Sequence, residues 1–492
     1  MPLPDVSRLV DLEPAAYRAL GDRLRALSIT GDSVRTISRI AARAIHPLQQ
    51  AMRGYHLAKL RDPAGYAMRL FVFRDAVDEG QAREVLGDAV SLERLLEVGL
   101  IAREPDGRLR CPFYVNLVNE LYVMCDDLTQ GDGVMGLGHT TGDLCGASWP
   151  TRKLDSVLEV GCGAGTALLV CALRARRAIG VDINPRAIVI ARANAHLNGI
   201  TNAEFRQGDL FEPVRGETFD LVVAQPPFVA QPPGDAAVTW LHGGARGDEL
   251  PLRLLRDLPS YLTEHGRGIV LVEWPVFARP DEVSLEQRVR DVVPRDDIGV
   301  LLVVSTETDL DEHCMGYATG QPPFLGPEVE RRMLARRAHL DALGVRELRL
   351  TLNVLQRTAP GRAWTSRVDT RPFGAVAVTS PRIDKLVAAQ ELLSSGPGAL
   401  AATRLRLPEG TRLVQDEGGG LVELPDDAMQ PPVRLSEHAA RLVSLFGAPK
   451  TGLEAAAEFA PDADDAGRDQ ILGGVAQALS AGVLEVERPP SA

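Results

Sequence analysis

The stretch VLEVGCGAG, Val157 to Gly165, decides the fold. Val157 to Val160 reads as a short buried strand, and the chain then meets Gly161, Cys162, Gly163, Ala164 and Gly165 before a helical segment starts at about Thr166. Glycines at such a bend let the backbone turn sharply and approach a ligand with no Cβ in the way. The helix that follows presents free N–H groups at its first turn. A glycine-rich loop alone is weak evidence, because dinucleotide sites use similar loops. Their fingerprint is G-x-G-x-x-G, whereas this loop is G-x-G-x-G and is preceded by Glu159.

The context adds specificity. The next strand, AIGVD, ends at Asp182, where doubly wound folds place an acid that accepts hydrogen bonds from ribose hydroxyls. A further short strand leads into GDLF, with Asp209, Leu210 and Phe211; an acid beside an apolar group suits an adenine amine and its ring. Then FDLVVAQPPF, Phe219 to Phe228, runs from an apolar strand into an amide, two prolines and an aromatic ring. Prolines fix φ and lower the entropy cost of holding such a loop in one geometry. A side-chain carbonyl followed by a proline carbonyl can accept hydrogen bonds from an NH2 group and orient its lone pair, and the ring can stack on a planar acceptor.

In order and spacing, LEVGCGAG, GVDINPRAI, GDLF and FDLVVAQPPF resemble the class I S-adenosylmethionine-dependent methyltransferases. The (Asn/Asp/Ser)-Pro-Pro-(Tyr/Phe) type of loop resembles that of the HemK-like release-factor glutamine methyltransferases and of nucleobase N-methyltransferases. WLHGGARGDELPLRLL, with His242-Gly243-Gly244 and Gly247, looks like the glycine turn and helix that follow the loop in the HemK-like group. The resemblance implies S-adenosyl-L-methionine as cofactor. It implies binding by Glu159, Gly161, Cys162, Gly163, Gly165, Asp182, Ile183, Asp209, Leu210 and Gln225, and a catalytic loop of Gln225, Pro226, Pro227 and Phe228. Gln225 stands where the family has Asn, which keeps the amide but adds a methylene. The family's Pro-Arg-x-Glu-Thr stretch has no clean counterpart; GLGHTTGDL, with Thr140 and Thr141, occupies about that place.

Around this centre, SVLEVGCG, RAIGVDIN, FDLVVAQPP, RGIVLVEWP and IGVLLVVST alternate with helical segments. That is the pattern of an α/β, doubly wound Rossmann-like sheet with helices on both faces. RELRLTLNVLQR and FGAVAVTS are expected to close its edge. The expected division is a helical, winged-helix-like domain over 1–130, a methyltransferase domain over 131–378, and an α+β winged-helix-like domain over 379–492. In the first of these, the helix that would meet DNA carries Glu93 and Glu97 with only Arg94, which argues against phosphate contact.

The chain has 492 residues, 45% hydrophobic and 24% charged, with a formal net charge of −12, so it does not attract phosphate backbones as a whole. RARR at Arg174–Arg177 and ERRMLARR at Glu330–Arg337 read as solvated helix faces. Six scattered cysteines without CxxC spacing argue against a zinc site and fit reduced thiols. No signal segment or membrane-length apolar run is visible, and a cytoplasmic enzyme is the expectation. DEHC, Asp311–Cys314, has metal-capable side chains but no second cluster, and no metal is expected. The second QPPF, Gln321–Phe324, reads as punctuation before a helix. Three functions remain open: N-methylation of an amide or exocyclic amine on protein or RNA, methylation of a small molecule of specialised metabolism, and cofactor binding by a non-catalytic regulator. DNA is not an expected partner.

Overall fold

The computed structural model describes residues 3–38, 56, 59–126, 133–235, 238–278, 283–318, 326–373, 378–416, 419–424 and 431–487. The second QPPF therefore lies outside the described residues.

The N-terminal region begins with helix α1 (Pro14–Ala26), which has its proline in the first turn, where no N–H is missed. A capping box between Asp78 and Gln81 starts α2 (Glu79–Leu86), and Ser91 caps α3 (Leu92–Glu97). A small antiparallel hairpin follows, β1 (Ala102–Arg103) and β2 (Leu109–Arg110), with Val77 bridged to Leu109. The acids of α3 are tied up: Glu93 with Arg83 at 2.6 Å and Glu97 with Arg94 at 2.8 Å. A second hairpin, β3 (Tyr114–Val118) and β4 (Leu121–Cys125), lies next along the chain.

The sheet-bearing part opens with α4 (His139–Ser148), then β5 (Leu154–Val160), α5 (Thr166–Ala172), β6 (Ala175–Asp182), α6 (Pro185–Leu197), β7 (Ala203–Gln207) and β8 (Phe219–Ala224). After the short strands β9 (Val229–Ala230) and β10 (His242–Gly244) come α7 (Glu249–Asp257), β11 (Leu262–Phe277), α8 (Leu285–Val292) and β12 (Ile298–Thr308). Two more helices, α9 (Leu310–Ala318) and α10 (Pro327–Leu343), precede β13 (Val345–Arg357) and β14 (Thr365–Asp369). The main sheet has eight strands in the order β14-β12-β13-β11-β8-β5-β6-β7. Its strands from β7 to β11 are parallel, and β13 runs antiparallel between β11 and β12.

The sheet is the expected doubly wound one, with two corrections. RELRLTLNVLQR is not an edge strand. It is β13, paired on both sides, and its alternating middle is buried on both faces because Asn353 donates to Val270 O and accepts from Trp274. The edge belongs instead to β14, and half of FGAVAVTS, residues 374–377, lies outside the described residues. RARR is not a helix face either: Arg176 and Arg177 open β6 and pair with Asp155 and Glu217.

Strand alternation sorts the core. Val157, Leu221, Val223, Ile269 and Leu271 face the side covered by α4, α5, α6 and α11 (Ser380–Ser394), together with the N-terminal region. Leu158, Val160, Val222, Ala224, Val270 and Val272 face α7 and α8. Beyond α11, a smaller core around Leu405, Phe446 and Leu479 joins α12 (Glu437–Ser444), α13 (Gly452–Phe459) and α14 (Asp465–Ser480). No described helix is long and apolar enough to cross a membrane.

The N-terminal region is bolted to the sheet through α6. Asn194 donates to Met124 O and to Ala164 O, both at 2.9 Å, and accepts from Met124 N at 2.8 Å; Asn198 makes the same two-way contact with the backbone of Tyr122. The two amides, one turn apart, thus act as a strand edge for β4. Arg186 forms a fork on Asp126, both contacts at 2.6 Å, and also donates to Pro4 O. The Asp126 side chain is fully buried, so removing the guanidinium strands a carboxylate in the interior. Arg186→Ala is expected to cost about 3 kcal/mol in a urea melt, the loss typical of a broken buried pair; a loss under about 1 kcal/mol, the range of surface pairs, would show the fork to be dispensable.

Candidate active site

The sheet reverses direction at β5. The chain steps from β5 outward to β6 and β7, then returns to β8 on the other side of β5. In open α/β sheets, ligands bind at the carboxyl ends of the strands beside such a switch point. Val160 of β5 pairs with Ala224 of β8, so Gly161 and Gln225 are the next residues on adjacent strands. Parallel neighbours lie about 4.8 Å apart, which sets the glycine loop directly against the Gln-Pro-Pro-Phe loop.

Gly161, Gly163 and Gly165 have φ of 73°, 52° and 80°, a region that side chains disfavour. A Cβ at Gly161 would meet nothing within 4 Å, so the loop leaves open space on that side. At Gly165 it would press on Ala191 and Phe205, so this third glycine serves helix packing. The loop is anchored by Gly161 N and Cys162 N, which donate to Val181 O at 2.8 and 3.0 Å. The Cys162 side chain is buried beside Gly180, and burial pushes its thiol pKa well up; only its backbone belongs to the loop surface.

Glu159, 5% exposed, faces the side of the sheet shared with α4 and α5 and accepts from Leu168 N at 2.8 Å. Burial raises its pKa to about 8; the hydrogen bond from Leu168 opposes this and the Asp182 charge adds to it. Asp182 accepts from Gly163 N at 2.8 Å and Asn184 N at 2.9 Å, so it ties β6 to the glycine loop. Burial also raises its pKa. Ile183, just beyond, is 53% exposed and offers an apolar surface at the mouth. Leu210 has φ of 46°, a strained conformation for a branched side chain and a feature that clusters at ligand sites. Asp209 is paired with Arg253 of α7 at 2.7 Å, a partner that the sequence did not suggest.

Gln225 donates through Nε2 to Thr140 Oγ1 at 2.7 Å. Its carbonyl oxygen, Oε1, has no hydrogen-bond partner among the described residues. Thr140 opens α4 at the end of a strap from the N-terminal region. Asp126 N donates to Val134 O at 3.0 Å, and Val134 N to Asp126 Oδ2 at 2.8 Å. Met135 O lies 3.8 Å from the Cβ position of Gly163, and Gly136 passes so close to Cys125 that a Cβ there would fall 2.3 Å from its sulfur. The strap thus touches the glycine loop and the Gln-Pro-Pro-Phe loop in turn. Nothing in the composition of this glycine-rich stretch marks it out, although Thr140 belongs to GLGHTTGDL.

The far side of the loop is braced by the glycine turn. β9 pairs with β10, Val229 opposite His242. A Cβ at Gly243 would fall 2.2 Å from Gly247 O and 2.6 Å from Pro227 O, and one at Gly247 would fall 2.4 Å from Phe228 O. His242 accepts from Val238 N at 3.2 Å, and burial with the nearby Arg336 charge lowers its pKa. Asp311 is exposed and paired with Arg337, and among the described residues no group of three or more His, Cys, Asp or Glu side chains could hold a metal.

A family model described as a methyltransferase domain matches residues 151–270. A candidate protein N5-glutamine methyltransferase of Methanocaldococcus jannaschii is 38% identical over 119 residues, 23% of this chain and 59% of that protein. A ribosomal protein uL3 glutamine methyltransferase of Bradyrhizobium diazoefficiens is 30% identical over 187 residues, 33% of this chain and 55% of that protein. A release factor glutamine methyltransferase of Aliivibrio fischeri is 39% identical over 82 residues, 16% of this chain and 29% of that protein. The chain thus spans less than two thirds of the length of these relatives.

The buried carboxyl of Glu159 makes stability depend on pH. A carboxyl whose folded pKa stands above its unfolded value binds its proton more tightly in the folded state. Its contribution is complete below the unfolded pKa and is lost as pH rises through the folded one. With the folded pKa at about 8, the cofactor-free chain is expected to lose stability from mildly acidic pH up to about pH 8. Glu159→Gln should flatten that slope in urea melts across the range, and an unchanged slope would refute the assignment. Residues 151–270 thus match a methyltransferase domain, and stretches of the chain are similar in sequence to protein glutamine methyltransferases.

Proposed function

We propose that this chain is an enzyme that transfers the methyl group of S-adenosylmethionine to the nitrogen of a carboxamide or exocyclic amine on a protein or RNA. A protein glutamine is the acceptor that the sequence relatives favour. The observation that carries this reading is Gln225. Thr140 takes its NH2 group, which turns Oε1 into a free acceptor one residue past β8, beside the glycine loop.

The residues fit the cofactor. When bound, it supplies an electrophilic methyl group. Gly161 and Gly163 would leave room for its amino-acid part, Asp182 would offer its carboxylate to the ribose, and Ile183 and Leu210 would lie by the base. Cys162 contributes its backbone, and Asp209, shared with Arg253, borders the adenine side. The chain's own task is then to aim a weak nucleophile. Gln225 Oε1 and Pro226 O accept the two N–H bonds of the acceptor, and Phe228 stacks on its plane while Pro226 and Pro227 hold the loop. Catalysis here is chiefly orientation, which can supply a large part of the barrier reduction.

The order helix, helix, hairpin with the Val77 bridge supports a winged-helix reading of the N-terminal region; in the C-terminal unit α13 and α14 are likewise followed by a strand, Glu485–Val486, which pairs with Arg404–Arg406. Both are read as acceptor-presenting parts of a cytoplasmic enzyme, and the paired acids of α3 speak against DNA. Label transferred from tritiated S-adenosylmethionine to extract of cells lacking the gene should appear in the protein fraction. Label in small molecules alone would favour the specialised-metabolism alternative, and cofactor binding with no label in any fraction would favour a regulator. Asp182→Ala should weaken cofactor binding by at least about tenfold, the worth of a charge-assisted hydrogen bond. Gln225→Ala should keep that binding and slow transfer by about a hundredfold, as for loss of one preorganised polar contact; full activity would refute its role.

A further inference from the structure

A second polar group stands beside the catalytic loop, and nothing above assigns it. Glu273 lies near the carboxyl end of β11, three residues past Val270, which pairs with Ala224. Alternation along β11 turns it to the same face as Ile269 and Leu271, the side on which α4 and Thr140 lie. Its Oε2 is 2.9 Å from Nδ1 of His313 in α9, and the two side chains are 11% and 7% exposed. The ring of Tyr317, one turn further along α9, is 4.7 Å from that of His313. Tyr317 also packs on the small cluster of Val229, Val238 and Leu241, against which Phe228 packs. Two routes, one along β11 and one from the end of the loop, thus bring α9 to the acceptor side of Gln225–Phe228.

The pair is polarised in one sense. The carboxylate accepts the Nδ1 proton, so in the neutral ring the lone pair is on Nε2. Among the described residues Nε2 has no hydrogen-bond partner, and neither has the Tyr317 hydroxyl. N-methylation of an NH2 group releases one proton. The nitrogen lone pair forms the N–C bond, the C–S bond breaks with its electrons left on sulfur, and an N–H proton must leave.

We propose that the acceptor's NH2 group sits between the Gln225–Phe228 loop and α9, with one N–H held by Gln225 Oε1 and the other shared between Pro226 O and His313 Nε2, which takes this proton as it is released while Glu273 holds the ring in the receptive tautomer. This rests on the N-methyltransferase reading above. It turns the helical insertion between β12 and β13 into a wall of the acceptor site. Tyr317 becomes the group that sets how large the acceptor is allowed to be.

Glu273→Gln keeps the shape of the side chain but offers an NH2 to Nδ1, so it should move the ring proton to Nε2. Nitrogen NMR of histidine-labelled protein should show an Nδ1–H ring at His313 in the wild type and an Nε2–H ring in the variant. Transfer of tritiated methyl groups to the extract fraction labelled by the wild type should fall about a hundredfold or more, the range of general-base catalysis. Affinity for S-adenosylhomocysteine should be unchanged. His313→Ala should lose as much and regain rate with added imidazole, a response that a merely structural contact would not give. An Nε2–H ring at His313 in the wild type, transfer within a few-fold of wild type in both variants, or a loss that imidazole does not relieve would overturn the assignment. A wild-type chain that labels no fraction would instead overturn the methyl-transfer reading, and this assignment with it.

Discussion

The arrangement of the two loops at the carboxyl edge of the main sheet depends on one pairing, that of β5 with β8. A parallel sheet that winds outward from its middle strand and then returns leaves two neighbouring strands whose connections depart in opposite directions. Here those connections are the glycine loop and the Gln-Pro-Pro-Phe loop, and Val160 opposite Ala224 makes them side-by-side continuations. No side-chain contact has to create this proximity. It follows from backbone register, which the apolar faces of both strands fix, because a slip by one residue would turn every core side chain outward.

Around that pairing the molecule adds supports of different kinds. Behind the glycine loop, Asn194 ties the carbonyl of Ala164 to the N-terminal hairpin. Above it, the strap from Val134 to Thr140 passes from the buried Arg186–Asp126 fork to the amide of Gln225. Beneath the catalytic loop, Gly243 and Gly247 come so near to its backbone that any side chain would displace it. The N-terminal region is therefore more than an appendage. Its residues share one continuous core with α5, α6 and one face of the sheet, and the strap that leaves it leads into α4, whose Thr140 holds the amide of Gln225.

The glutamine at 225 illustrates how such supports change the meaning of a substitution. One methylene longer than asparagine, it would have extra freedom on an unsupported loop. Fixed by Thr140, it loses that freedom and gains a defined direction for Oε1. The same holds for Asp182, whose two backbone contacts make it part of the loop it helps to shape, and for Asp209, whose exposed carboxylate is shared with Arg253.

Much of this was legible in the chain itself. The glycine loop, the acid at the end of β6, the strand alternation and the proline-stiffened loop are local signals, written in residues a few positions apart, and each fell where periodicity and glycine chemistry put it. What the sequence could not disclose were contacts that join distant segments. The place of β13 inside the sheet rather than at its edge depends on which neighbour an apolar strand finds, and both edges and centres accept such a strand. The Thr140–Gln225 bond spans 85 positions and the Glu273–His313 pair spans two strands and a helix, so neither leaves a pattern in composition or spacing. Local backbone preference determined the loops; long-range packing decided what stands around them, because only the closed sheet brings those segments within reach of a hydrogen bond.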